Sequence, residues 1–378
     1  MPIDCQRALF DIPDSIAYFN CAYMAPQLKS VTEAGIAAVS RKARPWEIGV
    51  DDFFADAATL KEQIAELLSA APADIALTPS VSYGLSTAAA NLRLGAGERI
   101  LVLDGQFPSN VYPWRELARI VGASVVTVER PESGDWTEAL LVAIGDTAAC
   151  VAIPNVHWTD GALIDLETVS ARCREIGAAL VIDATQSLGA MPLSVKTVQP
   201  DFVAGALYKW LLGPYSLGFL YASPAHQDGR PLEYNWMTRK GSEDFAGLVR
   251  YRDEYQPGAA RYDVGERSNF ALLPMAIEAL RQIERWGVAE IEASLNLVTG
   301  QIAERAGELG LTVAPASQRC SHFLGLTFPD GVPEPLLTML REAEVYVSVR
   351  GDSIRVAPHL YNSAEDVARL FAVLENAL

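Results

Sequence analysis

Leu180-Val-Ile-Asp183-Ala-Thr-Gln186-Ser-Leu-Gly189 closes an apolar run on a carboxylate, and 26 residues after Asp183 the run Ala206-Leu-Tyr208-Lys209-Trp210-Leu-Leu-Gly213-Pro214 sets one lysine among aromatic and aliphatic neighbours. A short apolar run bounded by small and polar residues reads as a buried strand. Asp183 then stands at the strand's carboxyl end, where open α/β sheets bind ligands. A carboxylate there can serve a protonated ring nitrogen, a metal or a sugar hydroxyl; equally, it can cap the next helix. Lys209 in apolar surroundings is destabilised as a cation, so its amine becomes a better nucleophile toward a carbonyl. The alternative is a lysine whose stem lies along apolar surface and whose charge reaches water.

Outward from this pair, Ile100–Leu103, Ser124–Val128, Cys150–Ile153 and Phe202–Ala204 join Leu180–Ile182 as predicted strands. Amphipathic stretches separate them; in Leu166–Ile176, Leu166, Val169, Ala171, Cys173 and Ile176 make one apolar face. Such alternation predicts an α/β domain around a mostly parallel sheet. From His226 to Tyr262 the chain is polar, charged and aromatic, a long excursion outside the core. A helix follows at Leu273–Trp286, opened by Pro274 and closed by Gly287. The C-terminal third reads helix, strand Phe323–Phe328, helix Glu334–Glu342, strands Val345–Val349 and Ser353–Val356, and helix Glu365–Leu378. That mixture predicts a second, smaller α+β domain.

The 378 residues are 50% apolar, enough for one large domain and one smaller one. No apolar stretch approaches the roughly 18–20 residues of a membrane span; the most hydrophobic, Leu207 to Tyr221, holds Lys209 and Pro214. A net charge of −17 argues against nucleic acid or an anionic membrane as partner. Cys5, Cys21, Cys150, Cys173 and Cys320 are scattered and form neither a disulfide framework nor a metal motif. The opening MPIDCQRALFDIP lacks the apolar run of a signal peptide, so a cytoplasmic location is expected and a metal is not.

Two further stretches carry chemistry. Thr78-Pro-Ser80-Val81-Ser82-Tyr-Gly84 leads into an apolar helix over Leu85–Leu92, a plausible anion site at a helix start, although any serine-rich cap looks similar. Ile354-Arg355-Val-Ala-Pro358-His-Leu-Tyr361-Asn362 places an arginine on a strand, suited to bidentate capture of a carboxylate or to a structural ion pair.

A ring-nitrogen partner, a reactive lysine, a phosphate cradle and a carboxylate clamp are the parts a pyridoxal phosphate enzyme requires. In order and spacing they resemble the class V aminotransferases of fold type I, a group that includes cysteine desulfurases, kynureninases and isopenicillin N epimerase-like proteins. The resemblance runs from Tyr18-Phe-Asn20 to Tyr361-Asn362-Ser-Ala-Glu-Asp366. It implies a large domain over about 15–260 with a mostly parallel seven-stranded sheet, and a small α+β domain of 261–378 together with 1–14. It further implies a homodimer with shared active sites and an α-amino acid substrate.

Carried over by residue, the resemblance makes Lys209 the lysine that bears pyridoxal 5'-phosphate and Asp183 the acid at the pyridine nitrogen. Gln186 matches the glutamine near the phenolic oxygen, Phe107 a ring stacked on the cofactor, and Val81, Ser82 and Tyr208 the phosphate site. Arg355 matches the receptor of the α-carboxylate, with Asn20 and Tyr23 beside the substrate. Trp158 replaces an Asn that commonly touches the ring oxygen, and Ala206 replaces a phosphate-binding Ser. Glu266 stands where a Thr reaches the neighbouring subunit's phosphate, which leaves Arg267 and Ser268 as candidates for that role. The stretch from Val345 to Ile354 lacks the cysteine of a desulfurase loop. The residues common to the group do not choose between transamination, elimination, hydrolysis and epimerisation; an aminotransferase is the nominal expectation, a lyase, hydrolase or epimerase the first alternative, and a pyridoxal phosphate-binding protein with little catalysis the second.

Overall fold

The apolar runs form the interior of one sheet. In the computed structural model, which describes residues 2–378, seven strands lie in the spatial order Ile75–Thr78, Gly218–Ala222, Phe202–Ala206, Ala179–Asp183, Ala148–Pro154, Arg99–Leu103 and Ser124–Val128. Neighbours from Phe202–Ala206 to Ser124–Val128 are parallel, whereas Gly218–Ala222 is antiparallel to both of its partners. Both faces are covered, which is why the central strands read as continuous apolar runs instead of alternating ones. Leu180 and Ile182 enter one core with helices Ala55–Leu68, Leu166–Ile176 and Leu272–Trp286. Val181, between them, enters the core on the other face with helix Val81–Asn91.

The sequence reading omitted Ile75–Thr78 and Gly218–Ala222 as strands. Each is only four or five residues long, and the second opens on a glycine. The expected strand Val345–Val349 is in fact two. Val345–Tyr346 pairs in parallel with Ala17–Tyr18, while Ser348–Arg350 turns into an antiparallel hairpin with Ser353–Val356, itself paired with Leu324–Thr327. A separate core of Phe19, Leu324, Leu326, Ile354, Val356 and Phe371 lies under this sheet. The first strand pair thus ties residues 17–18, on the large-domain side of the boundary expected from sequence, to the C-terminal region. The expected helix Glu334–Glu342 begins at Leu336, because Pro333 and Pro335 occupy its approach. Between Pro224 and Tyr262 the backbone makes only short 3-10 turns and one isolated bridge, Arg239 to Tyr255.

Candidate active site

Parallel strands that end together deliver their following loops to one place. Here the loops after Thr78, Leu103, Pro154, Asp183 and Ala206 surround a cavity of about 240 Å³. It gathers Val81, Ser82, Phe107, Trp158, Asp183, Gln186, Tyr208 and Lys209, eight of the residues singled out from sequence. Among the described residues no cluster of His, Cys, Asp and Glu is arranged to hold a metal ion, and no helix is long and apolar enough to cross a membrane.

Lys209 is 7% exposed, its Nζ 5.8 Å from the centroid of the Phe107 ring and 5.6 Å from that of Tyr208. Burial pulls its amine down to about 8, opposed by the charge of Asp183 and reinforced by Arg355. Asp183 is itself buried, which pushes its carboxyl up; Thr185 opposes this, its N–H donating to Oδ1 at 3.0 Å, as does the Lys209 charge. The lysine is held in place from behind. Gly189, at φ +95°, brings its backbone so close to the Trp210 carbonyl that an added Cβ would lie 2.6 Å from that oxygen. A glycine is therefore required where the Asp183 turn packs on the Lys209 loop.

Where the loop after Thr78 meets the cavity, Ser80 caps helix Val81–Asn91, its Oγ accepting from the Tyr83 N–H at 3.2 Å. The Ser80 and Ser82 hydroxyls are 2.9 Å apart. Free N–H groups of a first helical turn together with two hydroxyls make a ready anion site.

Arg355 is 1% exposed. Its Nη1 donates to the Trp158 carbonyl at 2.6 Å, while Nε and Nη2 are buried without partners. Burial, with help from Arg350, pulls its guanidinium down to about 9. The Trp158 indole donates to the Gly105 carbonyl at 2.7 Å and meets Phe107 edge-on, with centroids 5.5 Å apart. Gln186 is anchored at both ends of its amide, Nε2 donating to the Ala22 carbonyl at 3.0 Å and Oε1 accepting from the Trp210 indole at 2.9 Å, with one N–H left over. Asn20 bridges to Ala357, just past the Arg355 strand, and accepts from the Ser348 hydroxyl at 2.8 Å. Tyr23 is 58% exposed and does not line the cavity.

Arg267 and Ser268 are not brought to this cavity. Arg267 turns inward and bonds Asp263, and Ser268 contacts Met237 at 4.0 Å beside a separate surface hollow. Sequence reasoning also missed several wall residues, among them Ser109, Thr185, Tyr215 and Ser216. Tyr215 and Ser216 arrive through a loop in which Leu212 and Ser216 adopt φ of +55° and +68°. The Gly213-Pro214 pair was the available signal for such a reversal.

A desolvated lysine, a buried carboxylate and a serine-capped helix start gathered at the carboxyl edge of a parallel sheet are the arrangement of a fold type I cofactor enzyme. The aminotransferase class-V family profile matches residues 50–370, and the chain belongs to that family of pyridoxal phosphate enzymes. An uncharacterised aminotransferase of Bacillus subtilis is 26% identical over 81% of this chain and 80% of its own length. Isopenicillin N epimerase of Streptomyces clavuligerus is 24% identical over 83% of each. In fold, a cysteine desulfurase of Thermococcus onnurineus superposes with a TM-score of 0.84 at 20% identity, over 100% of this chain and 99% of that one.

Proposed function

We propose that Lys209 carries pyridoxal 5'-phosphate covalently and that the enzyme transfers the amino group of an α-amino acid. The observation that carries this reading is Lys209 buried beside Asp183 in the cavity, with two unpartnered nitrogens on Arg355 behind its Trp158 wall. The cavity residues fit the group. The helix start at Ser80–Ser82 suits its phosphate, Phe107 and Trp158 supply aromatic walls, and Asp183 at the floor suits a protonated ring nitrogen. When bound, the cofactor supplies an electron sink for the bond broken at the substrate α-carbon.

The chain's own residues do the rest. Asp183, a carboxylate held out of water, stabilises positive charge opposite it more strongly than an exposed acid does. Lys209 Nζ, about half uncharged near pH 8, would take and return the proton of the substrate α-carbon. Arg355 fixes the α-carboxylate through Nε and Nη2, and so selects which α-carbon bond is weakened. The subunit acts within a homodimer, as the family resemblance implies, with Arg267 held inward on Asp263 in the single chain. The five unpaired thiols support a cytoplasmic location. The enzyme is not a persulfide-forming desulfurase: the hairpin Ser348–Val356 holds no cysteine, and Cys320 is buried with its thiol on the Phe323 carbonyl at 3.3 Å.

Borohydride reduction of the yellow holoenzyme tests the site, the cofactor being recovered on the Lys209 peptide. Recovery on Lys196 or Lys240 overturns the assignment. An amino-acid panel read by cofactor absorbance, with assays for keto acid, ammonia and sulfide, tests the reaction. Release of ammonia or sulfide without amino transfer replaces transamination with elimination.

A further inference from the structure

The hairpin that carries Arg355 carries a second arginine on the same face. Its register sets Arg350 opposite Ser353 and Ser348 opposite Arg355. Side chains alternate along a strand, so Arg350, Ser353 and Arg355 point to one side, with diagonal neighbours about 7–8 Å apart. Both arginines meet Trp158, a wall of the cavity. Arg355 bonds its carbonyl, while the Arg350 guanidinium lies 4.9 Å from its ring centroid.

Neither guanidinium has an acid. Arg350 Nη1 donates only to the adjacent Val349 carbonyl at 2.6 Å, and its Nε is buried without a partner. Its charge acts unfavourably on Arg355 and on Lys209. Two guanidinium groups thus lie behind Trp158, outside the cavity lining itself, and the one carboxylate that lines the cavity, Asp183, bonds neither of them. An α-carboxylate balances Arg355 and leaves Arg350 unanswered. The stacking on Trp158 holds this second guanidinium in place rather than neutralising it.

We propose that Arg350 receives a side-chain carboxylate, so that the substrate is an acidic amino acid held by Arg355 at its α-carboxylate and by Arg350 at its far end. The assignment rests on the role given to Arg355 above. Asparagine and glutamine match the acids in shape and lack only the charge. A charge-assisted bond at Arg350 favours the acids by roughly 10- to 100-fold.

The test titrates holoenzyme with L-aspartate, L-glutamate, L-asparagine and L-glutamine, following cofactor absorbance and kcat/KM. The acids are expected to lead their amides by that factor. In Arg350→Gln the lead falls below about threefold, while the spectrum without substrate and the melting temperature stay unchanged; Arg350→Lys retains part of it. Calorimetry on the apoprotein gives a readout free of turnover: glutarate binds more tightly than butyrate, and Arg350→Gln removes the difference. Amides that serve as well as acids, or a preference that survives in Arg350→Gln, overturn the proposal and reduce Arg350 to a cover for Trp158. If no amino acid alters the absorbance, the amino-acid reading of the site fails first and this assignment falls with it.

Discussion

Two lysines are buried in this molecule, and they differ in what faces them. Lys61, 9% exposed, bonds Asp263 at 2.7 Å; the same carboxylate takes Arg267 on Oδ2 and the Leu77 N–H on Oδ1 at 2.7 Å. Lys209, 7% exposed, has Asp183 near enough to be felt but not within ion-pairing reach. Burial pulls both amines down. Only at Lys61 does a bonded counter-ion, Asp263, work against that shift. Desolvation alone therefore does not make a reactive lysine; desolvation without a bonded carboxylate does. The arginines repeat the contrast, since Arg267 is paired with Asp263 and Arg355 has two empty nitrogens.

Exchange at the two lysines separates these roles most strongly. Lys209→Ala is expected to lower turnover more than about 10³-fold and to abolish borohydride fixation, with little change in stability. Lys61→Met is expected to cost about 3 kcal/mol, seen as a lower urea midpoint, because Asp263 loses one of its two cations. Its cofactor linkage should be intact. Fixation of the cofactor on Lys61 would break the comparison outright.

Arg355→Lys keeps the charge but loses the planar fork, and substrate binding should weaken roughly 10- to 150-fold with the cofactor spectrum preserved. Equal turnover of simple amines lacking a carboxylate would make Arg355 structural.

The histidines behind Lys209 extend the rule to groups that respond to burial by staying neutral. His322 and His359 flank Trp210, and burial takes them down to about 4 and about 3. An unfolded histidine titrates near 6.5, so from there down to about 4 the unfolded chain binds more protons and stability falls as pH falls. Each contributes up to about 1.4 kcal/mol per pH unit. Both nitrogens of His359 are without partners, so His359→Phe should flatten the acid limb of a urea-midpoint profile against pH.

The smallest effect is kinetic. Uptake of pyridoxal phosphate by apoprotein should quicken with rising pH and level off above about 8, where Lys209 is neutral. A midpoint near 10.4, the value of an exposed lysine, would show that Lys209 is not desolvated.

Much of this site was legible because its chemistry sits at strand ends, and strand ends are local signals. Asp183 closes an apolar triplet, Ser80–Ser82 open a helix, and Lys209 interrupts an apolar run. What escaped depends on long-range pairing. Gly218–Ala222 is a strand only because Ile75–Thr78 and Phe202–Ala206 flank it, and Ser216 reaches the cavity only through the left-handed turn that precedes that strand. The inward turn of Arg267 likewise depends on Asp263, whose bonds to Lys61 and Leu77 span 202 and 186 residues. No window of sequence contains those partners.

The pairing of Ala17–Tyr18 with Val345–Tyr346 also sets a schedule. Asn20 accepts a hydrogen bond from a serine 328 residues further along, in the hairpin that carries both arginines. At about 5–20 residues per second, ribosomal synthesis covers that distance in roughly 15–65 s. For that interval Ala17 and Phe19, both fully buried in the finished protein, lack their core, whose other buried members begin at Ile302. The central sheet, whose last strand ends at Ala222, can assemble meanwhile. Newly made protein should thus pass through a state with a formed cofactor floor and an unfinished substrate clamp, the period in which it most needs a chaperone.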